Sequence, residues 1–298
     1  GYLCAAILLG FVPWLTHSLR LLVWTRFLGA KVSFRDLMAM VVGTELGSAV
    51  SPTAVGGGYV KLAMLVHRGI RPGAAASLMT LGSLEDGIFF AFALPAALAM
   101  RSTAPLGRGF HLGDALEARA RLVVMILSIT AVFVAGVAAR KVTHSLTLRL
   151  KAAWNDYIAV YRLILHHGKL RFGITLMLTG IQWICRYSVV SALLASLGVQ
   201  VFPVRFFALQ WVVFTLGVFV PTPGALGGAE AAFFLVYRSF IPENIVGIAT
   251  AGWRFLTFYL QLAVGLVVFG VLQTSFPAGP ASPREMASRA DGDRANRA

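Results

Sequence analysis

Acidic residues are scarce in this chain. Only 12 Asp and Glu stand against 26 Lys and Arg, and charged residues of both signs make up 13% of the sequence. A soluble domain carries about a quarter, so a water-facing globule is excluded. No polar stretch is long enough to fold as a separate soluble domain. Cysteine is nearly absent: Cys4 and Cys185 both sit in apolar segments, which excludes a disulfide framework. No Gly-x-x-x-x-Gly-Lys-Ser/Thr run occurs, so a P-loop NTPase is excluded. His166-His167 lack an acid or Cys at ligand spacing, which argues against a metal centre. Glu85-Asp86 are adjacent, so they point about 100° apart on a helix and make a poor acid–base pair. The expectation is a protein that is not an enzyme and carries no cofactor or metal.

What the chain has is apolar length. Hydrophobic residues make up 58% of it, and the mean hydropathy is +0.77. Crossing a bilayer takes about 20 helical residues. Stretches of that kind lie at 2–24, 73–100, 120–139, 172–197 and 245–272. The net charge of +14 does not imply nucleic-acid binding, because most Lys and Arg fall in short loops between apolar segments. The fold class is therefore all-α, a polytopic membrane bundle. A segment at 141–168 differs: apolar residues recur at helical spacing among Lys141, Arg149, Lys151 and Arg162. Such a helix suits an anionic leaflet or a solvated connector. The tail 274–298 is rich in Ala, Ser, Arg, Asp and Pro and is expected to be disordered.

Two apolar stretches are broken. One carries Pro52, Gly56, Gly57 and Gly58 and then Lys61; the other carries Pro221, Pro223, Gly224, Gly227 and Gly228 and then Glu230. Proline removes a helix donor and glycine adds backbone freedom, so each stretch reads as a helix interrupted within the membrane. The two units superpose at a constant offset of 169 residues: Trp14 meets Trp183, Gly29 meets Gly198, Lys61 meets Glu230 and Glu85 meets Arg254. Repeat one then covers about 2–100 and repeat two about 172–272, within a single domain of 1–273. The last two matches exchange charge sign. They suggest a Lys61–Glu85 pair in one half and a Glu230–Arg254 pair in the other, each neutralising groups that are costly alone in lipid.

Charge counting orients the chain. If both broken units are re-entrant hairpins, 16 Lys and Arg (tail included) share one face and 6 take the other. Full crossings split them 10 to 12. Only the hairpin arrangement follows the positive-inside rule. It makes the repeats inverted, a design that recurs in alternating-access transporters, and it puts the tail in the cytoplasm.

The stretch Pro221, Thr222, Pro223, Gly224, Gly227, Glu230, followed by Arg254, resembles the transmembrane, flippase-like region of the bacterial lysylphosphatidylglycerol synthases and their stand-alone relatives. Pro52, Gly56-Gly57, Lys61, Gly69 and Glu85-Asp86 match more loosely; relatives often carry a basic residue near Asp86. The resemblance spans about 5–273. It implies a bacterial inner-membrane protein that moves a phospholipid or lipid-linked molecule between leaflets. The amino-acid-transferring domain of bifunctional members is not part of it.

The residues support lipid handling in their own right. A helix that starts inside the membrane offers unpaired N–H groups and a positive dipole end, which suits a phosphate. Gly56, Gly57, Gly227 and Gly228 would let a ligand approach that backbone. Lys61, Arg186 and Arg254 add positive charge; Glu45, Glu85, Asp86 and Glu230 can pair those cations or receive a cationic headgroup. The alternative for each is a helix-locking ion pair. Expected partners are anionic or zwitterionic phospholipids, with a second copy or a lipid-modifying enzyme as further options. Competing readings are a small-solute or ion transporter and a lipid-binding accessory subunit of a membrane transferase.

Overall fold

A computed structural model describes residues 1–51, 55–101, 144–220 and 222–273. Its regular structure is helical. In chain order the helices are α1 (Tyr2–Phe27), α2 (Phe34–Val50), α3 (Val55–His67), α4 (Pro72–Arg101), α5 (His144–His167), α6 (Lys169–Ser196), α7 (Pro203–Val218), α8 (Gly228–Tyr237), α9 (Glu243–Arg254) and α10 (Leu260–Gln273). A π-helical turn, Phe255–Tyr259, joins α9 to α10. Four stretches are long and apolar enough to cross a membrane: Tyr2–Phe27, Pro72–Ala97, Lys169–Ser196 and Glu243–Leu272. The span expected at 120–139, the tail 274–298, Pro52 and Pro221 lie outside the described residues.

The offset of 169 carries helices onto helices. It maps α1 to 171–196 and α2 to 203–219, the ground covered by α6 and α7. It also maps the helix ends. Gly29 (φ 74°) and Gly198 (φ 76°) both take the left-handed conformation that glycine adopts without a Cβ clash. Just beyond them, the N–H of Ala30 donates to Thr25 and that of Val199 donates to Leu194, at 2.9 and 3.0 Å.

α2 and α3 pack antiparallel, and glycine sets their separation. A Cβ on Gly47 would lie 2.9 Å from Val60, and one on Gly57 would lie 2.5 Å from the Thr44 carbonyl oxygen and overlap Ser48 Oγ. α7 and α8 form a second antiparallel pair. There the Tyr237 hydroxyl bonds the Phe206 carbonyl at 3.1 Å and Gln210 at 3.2 Å. α1 and α6 also run antiparallel. The Arg171 guanidinium stacks on Phe27 at 4.6 Å, Arg20 reaches Gln182 mid-helix, and Ala6 shares a core with Val189–Leu194.

Two apolar cores sit at opposite ends of the α1–α6 pair. One gathers Ala6, Leu194, Phe206, Tyr237 and Ile241. The other gathers Trp24, Val32, Leu37, Leu65, Ile70 and Ile164. The open end of each helix pair lies in a different core, so the two pairs open toward opposite ends of α1–α6. Their tips meet: a Cβ on Gly224 would lie 3.4 Å from the Ala49 carbonyl oxygen.

α5 packs beside α4 with one face buried and another exposed. Val160 and Ile164 are buried in the second core, while Trp154 and Leu165 are more than half exposed. Tyr157 and Tyr161 reach Thr80 on α4 at 3.1 and 3.0 Å, and Arg71 pairs with Asp156 at 2.8 Å.

Candidate functional site

Intramembrane charges gather near the middle of the bundle and divide into two kinds. Arg20 on α1 is saturated. Its Nε donates to Glu85 Oε2 at 2.9 Å, its Nη1 to Asp86 and to Gln182 at 3.1 Å each, and its Nη2 to the Gly82 carbonyl at 3.0 Å. Nη2 also lies 2.7 Å from Glu85. A guanidinium has five N–H groups; four donate hydrogen bonds here, and Nη2 adds the ion contact to Glu85. Glu85 is equally filled, since its other oxygen accepts from Trp24 Nε1 (2.9 Å) and Thr175 (2.6 Å). Asp86 also accepts from Trp183 Nε1 at 3.0 Å. This assembly ties α1, α4 and α6 together.

The expected Lys61–Glu85 pair does not form. Glu85 turns to Arg20, and Lys61 Nζ lies 2.9 Å from His17 Nε2 instead. Arg20 and Trp24 sit one helical turn apart on α1, and both side chains reach Glu85. Arg20 was visible as a cation inside the first span. A balance of intramembrane charges could have singled it out, because Glu45, Glu85 and Asp86 outnumber Lys61 and Arg186 by one.

The other cations are under-coordinated. A half-enclosed cavity of about 240 Å³ opens where the hairpin tips meet. Its polar lining includes Glu45, Ser48, Arg186, Arg254 and Gln261; Trp14, Leu46, Phe214, Phe258 and Leu262 make much of it apolar. Arg186 has one polar partner, Glu45 at 3.2 Å, and its guanidinium lies 5.6 Å from the Phe214 ring. Arg254 donates to the Gly224 carbonyl, faces Phe258 at 4.2 Å and lies 2.7 Å from Glu230. That last contact is an ion pair without hydrogen-bond alignment. Arg254 Nε, Glu230 Oε2 and the neighbouring Trp253 Nε1 are all buried without a hydrogen-bond partner. Burying a donor unmet is unfavourable by about 1–3 kcal/mol, more for a charged group. Two of these atoms are donors and one, Glu230 Oε2, is an acceptor, so the Arg254–Glu230 contact is an imperfectly bonded pair beside the cavity.

The break positions this site. Gly224 and Gly227 take positive φ of 60° and 81°, and Ala225, at 55°, is also left-handed. The turn hands the Gly224 carbonyl to Arg254. The π-turn that follows Arg254 widens the helix and sets Thr257, Phe258 and Gln261 on the cavity wall. π-bulges inside helices are frequent at functional sites.

The expected glycine cradle is not at this cavity. Gly56 and Gly57 are filled by contact with α2, and a Cβ on Gly228 would strike Val220. In the first turn of α8 the Ala229 N–H is already taken by the Ala225 carbonyl at 2.9 Å. The positive charge offered to a ligand comes from the two guanidinium groups. Arg186, Arg254 and the Pro223–Gly224 break are brought together, with Glu230 behind Arg254; Lys61, Glu85 and Asp86 lie off the cavity wall.

The helix pattern, the broken hairpin and the Glu230–Arg254 pair now meet a direct comparison. Residues 1–265 match the model of the family described as lysylphosphatidylglycerol synthase TM region. The chain belongs to that family. It is an integral, multi-pass membrane protein of this group. A relative described as a UPF0104 membrane protein, from Archaeoglobus fulgidus, is 21% identical over 280 residues, covering 89% of this chain and 84% of that protein. Family membership agrees with a lipid-related role in the membrane.

Proposed function

We propose that this protein is a flippase-like transporter that moves a phosphate-bearing lipid between membrane leaflets. The observation that carries the reading is the pair of under-coordinated arginines, Arg186 and Arg254, on a half-enclosed, largely apolar wall. A phosphate offers several acceptor oxygens and would fill the N–H groups left open there. At about 30 Å³ per water, 240 Å³ holds roughly eight waters. That suits a headgroup but not acyl chains, which must stay in the bilayer. An apolar wall also favours an amphiphile over a small hydrated solute.

The packing supports inverted repeats. Equivalent helices α1 and α6 run antiparallel, so a bilayer that both cross is traversed in opposite senses. The hairpins then enter as re-entrant units from opposite faces and meet near the midplane, an arrangement that suits alternating access. On this reading the positive-inside rule favours a cytoplasmic tail, in a bacterial inner membrane.

The test is transfer of a fluorescent phospholipid across the leaflets of liposomes containing the purified protein. Arg186→Gln and Arg254→Gln should each slow transfer about tenfold or more, the worth of a charge-assisted hydrogen bond. Transfer no faster than in protein-free liposomes would overturn the proposal.

A further inference from the structure

We infer that Lys61 and His17 form a proton-binding site that couples lipid movement to a proton gradient; the inference rests on the transport reading above. Arg20, Glu45, Glu85, Asp86, Arg186, Glu230 and Arg254 each have an opposite charge within 3.2 Å. Lys61 is different. It is 8% exposed, and among the described residues no carboxylate comes within 4.0 Å of its Nζ. Its partner is His17 Nε2 at 2.9 Å.

That contact permits one excess proton or none. Two cationic nitrogens would repel at this distance, so one nitrogen must offer a lone pair to the other's N–H. On uptake, a proton from water forms a third Nζ–H bond on Lys61, and the ammonium donates into the lone pair of neutral His17. On release, an Nζ–H bond breaks, the proton returns to water and a neutral amine remains. The titratable and charged groups around the pair are Arg20 on α1, Glu45 on α2, Glu85 and Asp86 on α4, and Arg186 on α6. With Lys61 protonated, three cations balance three carboxylates. Without that proton the cluster carries a net charge of −1.

The cavity is connected to this pair. Glu45, which holds Arg186 on the cavity wall, lies on α2, the hairpin partner of the helix that bears Lys61. His17 lies one turn from Trp14, another cavity residue. An anionic headgroup on Arg186 therefore meets a cluster that repels it when deprotonated and accepts it when protonated. Binding of anion and proton is then mutually favourable, as linkage requires.

Two measurements test this. In proteoliposomes clamped at zero membrane potential, a gradient of about one pH unit should shift the steady-state leaflet ratio of a labelled anionic phospholipid by up to about tenfold, the limit for one proton per lipid. Lys61→Arg keeps its charge but does not release its proton; it should move lipid without responding to the gradient. In weakly buffered detergent solution at alkaline pH, adding a short-chain phosphatidylglycerol, a phosphodiester with no second proton to release, should make the wild type take up as much as one proton per protein and Lys61→Arg none. Lipid movement that ignores the gradient, or a Lys61→Arg protein that keeps both responses, would overturn the inference. Absence of any lipid movement would sink the transport reading instead, and proton uptake would then decide whether the site exists.

Discussion

At the scale of single residues, the number of N–H groups that find partners separates structural charges from receptive ones. Arg20 and Glu85 are both almost fully buried, at 4% and 1% side-chain exposure, and fully bonded. Removing one member leaves the other charged and alone, which destabilises by about 3–5 kcal/mol. Glu85→Ala should therefore unfold at markedly lower temperature in detergent. Arg186→Gln should not: that side chain is 21% exposed and its acid Glu45 is 35% exposed. A partly exposed pair facing a water-filled cavity is worth about 1 kcal/mol or less. The expected outcome is a melting temperature near that of the parent protein together with slowed lipid transfer. The reverse pattern would show that Arg186 is the lock.

At the scale of elements, glycine does different work in the two hairpins. In α2–α3 it lets helices touch. Gly57→Ala puts a methyl group against Ser48 and 2.5 Å from the Thr44 carbonyl. Overpacking of this kind is unfavourable by about 1–3 kcal/mol, so the variant should melt earlier, with the loss recovered in part by Ser48→Gly. In the tip between α7 and α8, Gly224 and Gly227 supply positive φ instead. A residue with a Cβ is strained there, and at Gly224 it would also strike Phe258, 2.5 Å away. Gly224→Ala should perturb the cavity directly, which lipid transfer reads out. The two glycine clusters look alike in sequence because both follow a proline; what differs is whether a neighbouring helix or an open cavity lies opposite.

At the scale of the whole molecule, the antiparallel α1–α6 pair sets hairpin openings at opposite ends. Gly69 closes the first hairpin unit, with φ 82°. Ser239 sits at the equivalent end of the second, just past Tyr237. With Cys4 and Cys185 replaced, a single cysteine at Gly69 should react with a membrane-impermeant thiol reagent from one side only, and one at Ser239 from the other. Labelling of both from the same side would exclude inverted repeats.

Much of the architecture was legible in the chain itself. The all-helical class and the spans within the described residues depend on apolar length, which is a local property. The Glu230–Arg254 pair was legible for a related reason: with Glu45, Glu85 and Asp86 all in the first half, Arg254 has one nearby intramembrane acid in its own repeat. The first-half pairing was not. Glu85 had two candidate cations, and Arg20, 65 residues away, won because its long side chain and that of Trp24 both reach Glu85 from α1. That choice left Lys61 to His17. Which glycines touch a neighbour and which arginines keep open donors were likewise decided only when the hairpin tips met. A sequence states how many charges the membrane interior must hold, but pairing falls off over a few ångströms, so only the packed helices determine which of them are satisfied.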